Sequence, residues 1–163
     1  MKNKRMRYQS VIFDWDGTLA KTLHLWLKSY RHELESIGYE HLADEIIVDE
    51  FFYNHELVSN RYTNIDIFGS FMKNVHSYME DHIEDLEPYI EANVALKKCI
   101  DHDMRIGLVS SSPRKLVKKG LAVTGLEEYF EHIVSGDDVM RHKPHPEPFL
   151  NVMEEAALTL IRQ

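Results

Sequence analysis

Apolar and β-branched residues gather from Tyr8 to Phe13 and give way at once to Asp14-Trp-Asp-Gly-Thr18, where Gly17 permits a tight turn. This pattern predicts a short buried strand of a parallel sheet. Beyond Leu23 the spacing changes. Trp26, Leu27, Tyr30, Leu34 and Ile37 recur every three or four residues and stop at Gly38, as in an amphipathic helix with a glycine at its C-terminal end. Ile46, Ile47, Phe51 and Phe52 predict a second helix, and Phe68, Phe71, Met72, Val75, Met79 and Ile83 a long third one. Nothing between Ala20 and Glu84 carries a strand pattern.

After Pro88 a helix is expected from Glu91 to His102, then a strand from Arg105 to Val109, then Ser110-Ser-Ser-Pro-Arg114. Ser112 is expected as N-cap, and Pro113 as the first residue, of a helix running past Leu116, Val117 and Leu121 to Gly125. His132 to Ser135 reads as a third strand ending in Gly136-Asp-Asp138, and Lys143-Pro-His-Pro-Glu-Pro148 as a stiff loop. Phe149, Met153, Ala156, Ala157 and Leu160 mark one face of a last helix. Strands and helices therefore alternate, interrupted once by an all-helical stretch, which is an α/β arrangement.

Composition narrows the partners. With 44% hydrophobic and 28% charged residues in 163, the chain is globular rather than disordered. Its net charge of −8 argues against nucleic acid and anionic membranes as partners, so an anionic substrate must be drawn by a local positive cluster. The apolar run that follows the basic start, Val11 to Phe13, is too short for a secretory or membrane-spanning segment. Cys99 is the lone cysteine, which rules out an intramolecular disulfide and points to a reducing cytoplasm.

In parallel sheets, ligands bind beyond the carboxyl ends of the strands. Asp14, Ser110 and the loop to Lys143 are all placed there. If the first strand persists, Asp14 and Asp16 point the same way and Trp15 the other. Two carboxylates in one small site repel, and a divalent cation relieves that. One can attack phosphorus while the other protonates the leaving oxygen and then activates water. Ser110 offers a hydroxyl, Ser111 and Ser112 offer backbone N–H groups ahead of a helix N-terminus, and Lys143 offers a compact positive charge. A site of such hard oxygens suits Mg²⁺. Each piece has an ordinary explanation on its own: a turn for the aspartates, a cap for the serines, a solvated loop for Lys143. Arg31, Arg61 and Lys73 in the helical stretch are either solvated charges or contacts to a leaving group.

Phe13-Asp-Trp-Asp-Gly-Thr-Leu19, Leu108-Val-Ser110 and Lys143-Pro-His-Pro146, in this order, resemble motifs one, two and three of the haloacid dehalogenase-like superfamily. The most similar subgroup holds phosphoglycolate phosphatase and β-phosphoglucomutase, with a helical cap inserted after motif one. The resemblance implies a three-layer, Rossmann-like core of residues 1–19 and 84–163 and a cap of residues 20–83. It implies that Asp14 is the nucleophile and a Mg²⁺ ligand, and that Asp16 is the acid/base and binds the metal through its backbone carbonyl. Ser110 would hold the phosphoryl group, joined in the reading of the residues above by Ser111, and Lys143 would position Asp14 and neutralise charge.

The family's fourth motif, Gly-Asp-Ser or Glu-Asp-Ser followed by another Asp, lies one strand beyond the helix near Pro148 and has no counterpart up to Gln163. Asp137 and Asp138 precede Lys143 and correspond to a different loop. The expectation is a core without its C-terminal strands and with a thin metal shell. The first strand would then be a sheet edge, open to self-association or leaving the fold marginal. The reaction implied is Mg²⁺-dependent hydrolysis of a small phosphorylated metabolite through an aspartyl-phosphate. The alternatives are an incomplete relative acting as a binding module or inactive fragment, and a phosphomutase.

Overall fold

In the computed structural model, residues 9–53, 58, 61–62 and 69–155 are described. The elements are β1 (Ser10–Asp14), α1 (Leu23–Ser36), α2 (Asp44–Ile46) continuing into a π-helical run Ile47–Tyr53, α3 (Ser70–Asp81), α4 (Ile90–Asp101), β2 (Arg105–Val109), α5 (Arg114–Thr124), β3 (His132–Val134) and α6 (Glu147–Glu155). Short 3₁₀ turns occupy Ile83–Asp85, Glu127–Tyr129 and Gly136–Asp138. The described residues up to Lys21 and from Leu86 onward form one compact unit, and those from Thr22 to Asp85 another.

In the first unit the three strands form a parallel sheet of order β1-β2-β3. Asp14 lies opposite Val109 and Val109 opposite Val134, so the chain leaves all three strands at one rim. β2 is the central strand, and Ile106 to Val109 are buried. All five residues of β1 are only half-buried, and among the described residues β1 pairs with β2 alone. That is the signature of an edge strand. β1 includes Asp14 and starts at Ser10; Tyr8 lies outside the described residues.

Two expectations shift here. The serine and proline ahead of α5 move by one place: Pro113, with ψ of 142°, is the N-cap and Arg114 the first helical residue. The last helix buries a different face. Val152 is fully buried with Val109 and Val134, Pro148 is buried too, and Phe149 is 40% exposed. Adjacent stripes, 148/152 and 149/153, are both apolar, so spacing alone leaves the choice open. The sheet decides it, because a Cβ on Gly107 would stand 2.8 Å from Val152 Cγ2, and only a glycine lets the valine stripe sit that close. Ala156, Ala157 and Leu160 lie outside the described residues.

The second unit is all helical. α1 ends as its sequence predicts: Gly38 takes φ +92°, its N–H bonds to the Glu35 carbonyl, and Tyr39 N–H reaches back to Leu34. Where a regular second helix is expected, a single α-turn runs into the π-helix, which places Ile47, Glu50 and Phe51 inside. α3 stops at Asp81, short of Ile83, and Phe68 lies outside the described residues. Tyr30, Leu34, Ile47, Phe51, Val58, Tyr62, Phe71 and Val75 form the core. Arg31 pairs with Asp44 and the Leu42 carbonyl, and Arg61 pairs with Glu50, so both arginines serve this unit's own packing. Among the described residues no helix is long and apolar enough to cross a membrane.

Candidate active site

β1 ends at Asp14 and the chain turns at once, so the condition that would align Asp14 and Asp16 along a strand is not met. Trp15 goes inward. It is 2% exposed and packs under α5, where a Cβ on Gly120 would come within 2.7 Å of the indole Cζ2. Its carbonyl accepts the N–H groups of Leu19 (3.0 Å) and Ala20 (3.3 Å), while Gly17, at φ +71°, donates to the Ala20 carbonyl at 3.0 Å. Tyr89 N–H to the Leu19 carbonyl (2.9 Å) and Lys21 N–H to the Glu87 carbonyl (3.0 Å) hold the end of this turn. A buried indole thus anchors a turn that presents one carboxylate on each side of it.

Lys143 Nζ donates to Asp14 Oδ1 at 2.5 Å across 129 positions of sequence, and Thr18 Oγ1 donates to Asp14 Oδ2 at 3.3 Å. Asp16 Oδ2 accepts the hydroxyls of Ser112 (2.7 Å) and Ser110 (3.1 Å). The structure therefore brings Asp14, Asp16, Ser110 and Lys143 together from loops after all three strands. Asp14 is 40% exposed, so the site is an open rim. A cavity of about 250 Å³ beside α5, lined by Arg114, Lys118, Leu121, Phe130 and others, contains none of these four residues.

The loop carrying Lys143 is closed on itself. Glu147 accepts Met140 N–H at 2.7 Å and Arg141 Nε at 3.1 Å, and these contacts hold its carboxyl below the usual value. His145 N–H reaches the His142 carbonyl at 2.9 Å, its ring accepts Glu147 N–H at 3.1 Å, and the Lys143–Pro144 peptide is cis.

The serines are used differently from the expectation. Ser112 N–H donates to Ser110 Oγ at 3.0 Å and so is committed within the protein, and Ser112 is a ligand of Asp16 rather than a helix cap. Ser111 is exposed beside them. The cap of α5 comes from another loop, since Asp137 Oδ2 accepts Arg114 N–H at 2.7 Å. Asp138 pairs with the Arg114 guanidinium and caps its own turn through Ser135. Partial burial alone would raise its pKa, but the Arg114 guanidinium and the Ser135 hydroxyl and N–H outweigh that and hold it below the ordinary carboxylate value. Both aspartates after β3 are thus engaged away from Asp14. Sequence reading missed Arg114, and it assigned Ser112 a backbone N–H and a capping role rather than a hydroxyl on Asp16. The signal for Ser112 was present, as two serines flanking one residue after a strand, but a helix cap explains it equally well.

Comparison with known proteins gives one result. The family model for haloacid dehalogenase-like hydrolases matches residues 11–160. A pyrophosphatase PpaX of Bacillus cereus is 30% identical over 155 residues, covering 91% of this chain and 69% of that protein. A Thermotoga maritima crystal structure assigned as a β-phosphoglucomutase is 28% identical with a TM-score of 0.68, covering 93% of this chain and 72% of its own. A structure assigned as a haloacid dehalogenase-like hydrolase from Bacteroides fragilis shares the fold at TM-score 0.81 and 23% identity, over 94% of this chain and 75% of its own.

Proposed function

The chain belongs to the haloacid dehalogenase-like hydrolase family, and on that footing we propose that it is a phosphohydrolase that moves the phosphoryl group of a small phosphomonoester first to Asp14 and then to water. The observation that carries this reading is the pair of carboxylates held apart by different partners, a lysine on Asp14 and two serine hydroxyls on Asp16. Roles in phosphoryl transfer need that division: one carboxylate kept as a nucleophile, the other placed to carry a proton.

The steps follow from these positions. Lys143, against Asp14 Oδ1, offsets the repulsion between that carboxylate and an incoming phosphate. An Asp14 oxygen bonds to phosphorus as the bond from phosphorus to the leaving oxygen breaks, and Asp16 in its acid form gives that oxygen a proton. Water then attacks phosphorus, Asp16 takes its proton, and the bond to Asp14 breaks to release phosphate. Ser110 and Ser111, beside this rim, are the proposed phosphate contacts.

The donor set fits Mg²⁺ in kind, being hard oxygen: the Asp14 carboxylate and the Asp16 backbone carbonyl would hold it. Among the described residues no group of three or more acidic, histidine or cysteine side chains surrounds a common point, so water and substrate oxygens would fill the remaining positions. Bound there, the ion supplies positive charge to the phosphoryl oxygens.

We further propose that residues 20–83 serve as a cap and that the protein works in a reducing cytoplasm, in keeping with a buried free Cys99. A sugar hydroxyl in place of water would make the same site a phosphomutase, a reading that draws on the likeness to the Thermotoga maritima structure. If the thin metal set dominates, the site captures phosphate without turnover. A phosphomonoester panel with Mg²⁺ separates these. Hydrolysis by the wild type that drops at least about 10³-fold in Asp14→Asn supports the proposal, since an amide cannot form the acyl-phosphate. Undiminished hydrolysis in that variant rejects it.

A further inference from the structure

Several hydrogen bonds join the segment that follows β2 to β3 and the turn after it, and one side chain makes three of them. Arg114 sends Nε to Asp138 Oδ1 at 3.0 Å, and a terminal guanidinium nitrogen to Asp138 Oδ2 at 2.5 Å and to the Ile133 carbonyl at 2.8 Å. Asp138 is itself fixed by Ser135 N–H at 2.7 Å and by the Ser135 hydroxyl. Ser135 is fully buried. With its acceptor immobilised, the fork can point in one direction only.

The loop that carries Asp138 in turn meets the serines. Gly136 N–H donates to the Ser112 carbonyl at 3.0 Å, and a Cβ on Gly136 would fall 2.4 Å from the Ser111 carbonyl oxygen, so the two loops touch backbone to backbone. Ser110 N–H is held by Val134 at 2.9 Å. Ser110 is therefore tied to the end of β3, and Ser112 to the loop that Arg114 clamps. Their hydroxyls are what hold Asp16 Oδ2.

We propose that Arg114 is a positioning residue for Asp16, acting through Asp138, Gly136 and the serine loop, with the leaving-group proton transfer as the step it serves. The inference rests on the phosphohydrolase reading above. At 36% and 27% exposure the ion pair itself adds little to folding, so its effect is expected in local order rather than global stability. The substituent that matters is the guanidinium, because Arg114→Ala keeps the backbone N–H bond to Asp137.

The test uses the full chain and reads amide hydrogen exchange by NMR. In Arg114→Ala, the Ser112 and Gly136 amides should exchange about tenfold faster or more while those inside β2 keep their protection, and added guanidinium ion should restore the difference. Asp138→Asn should show the same local pattern. In turnover with Mg²⁺, kcat/KM for an alkyl phosphomonoester should fall about 10- to 100-fold in Arg114→Ala. For p-nitrophenyl phosphate, whose leaving group departs without a proton, it should fall less than about threefold. Exchange that is unchanged, or faster throughout β2, overturns the proposal whatever the turnover. Equal losses on both substrates overturn the link to Asp16. A wild type that hydrolyses neither substrate sinks the phosphohydrolase reading alone and leaves the exchange result to decide the brace.

Discussion

Each carboxylate of the rim draws its character from its neighbours rather than from its place in a motif. Asp14 meets an ammonium group and a distant threonine hydroxyl, whereas Asp16 meets two hydroxyls on one oxygen. The shorter of those, from Ser112, is part-buried and charge-assisted, and its removal leaves Ser110 in place, because Ser110 Oγ is held by the Ser112 backbone N–H. Ser112→Ala should therefore lower kcat by about tenfold, the scale of one hydrogen bond to a charged group, with the melting temperature little changed. An unaltered kcat would show that Ser110 alone orients Asp16. Asp14, Asp16, Ser110 and Lys143 were all legible as candidates, because each follows a strand and carries chemistry. The role of the Ser112 hydroxyl was not, since whether a serine before proline caps its own helix or reaches a carboxylate ninety-six positions away depends on tertiary contacts.

Among the elements, regular ones were legible and irregular ones were not. Arg105 to Val109 forms a strand as its pattern predicts, and Gly38 and Gly125 end their helices in the left-handed region. Local sequence carries those signals. The π-run at Ile47–Tyr53 and the buried face of α6 depend on what packs opposite, Glu50 with Tyr62 in one case and Gly107 in the other. The cap of α5 is likewise borrowed from another loop. The neighbouring pair of Asp138 with the Arg114 guanidinium makes the connection between β3 and α5 pH-sensitive. Asp138 titrates below its ordinary value in the fold, so its contribution is complete above the unfolded carboxylate pKa and is lost as pH falls through that value to the lower folded one. Urea midpoints of the wild type should therefore decline, as pH falls through and below the ordinary carboxylate range, more steeply than those of Asp138→Asn. Parallel declines would mean that the Ser135 and Arg114 contacts together give Asp138 no net stabilisation.

At the scale of the whole molecule, the sheet presents β1 as an edge with Val11, Ile12 and Phe13 half-buried, and among the described residues nothing pairs its outer side. Unpaired strand edges recruit strands. Light scattering should show a mass rising with concentration from 19.2 kDa toward twice that value, and a monomer at every concentration would contradict self-association through this edge. The central claim, that phosphorus is bonded to Asp14 during turnover, does not depend on that outcome. It is tested most directly by borohydride trapping in the Asp16→Asn variant, given p-nitrophenyl phosphate and Mg²⁺. This variant can form the acyl-phosphate but has lost the base that hydrolyses it, and borohydride reduces an acyl-phosphate to an alcohol. Peptide mass spectrometry should then find homoserine at position 14 and nowhere else. Homoserine at another aspartate, or none while the wild type turns over the same substrate, would contradict the account.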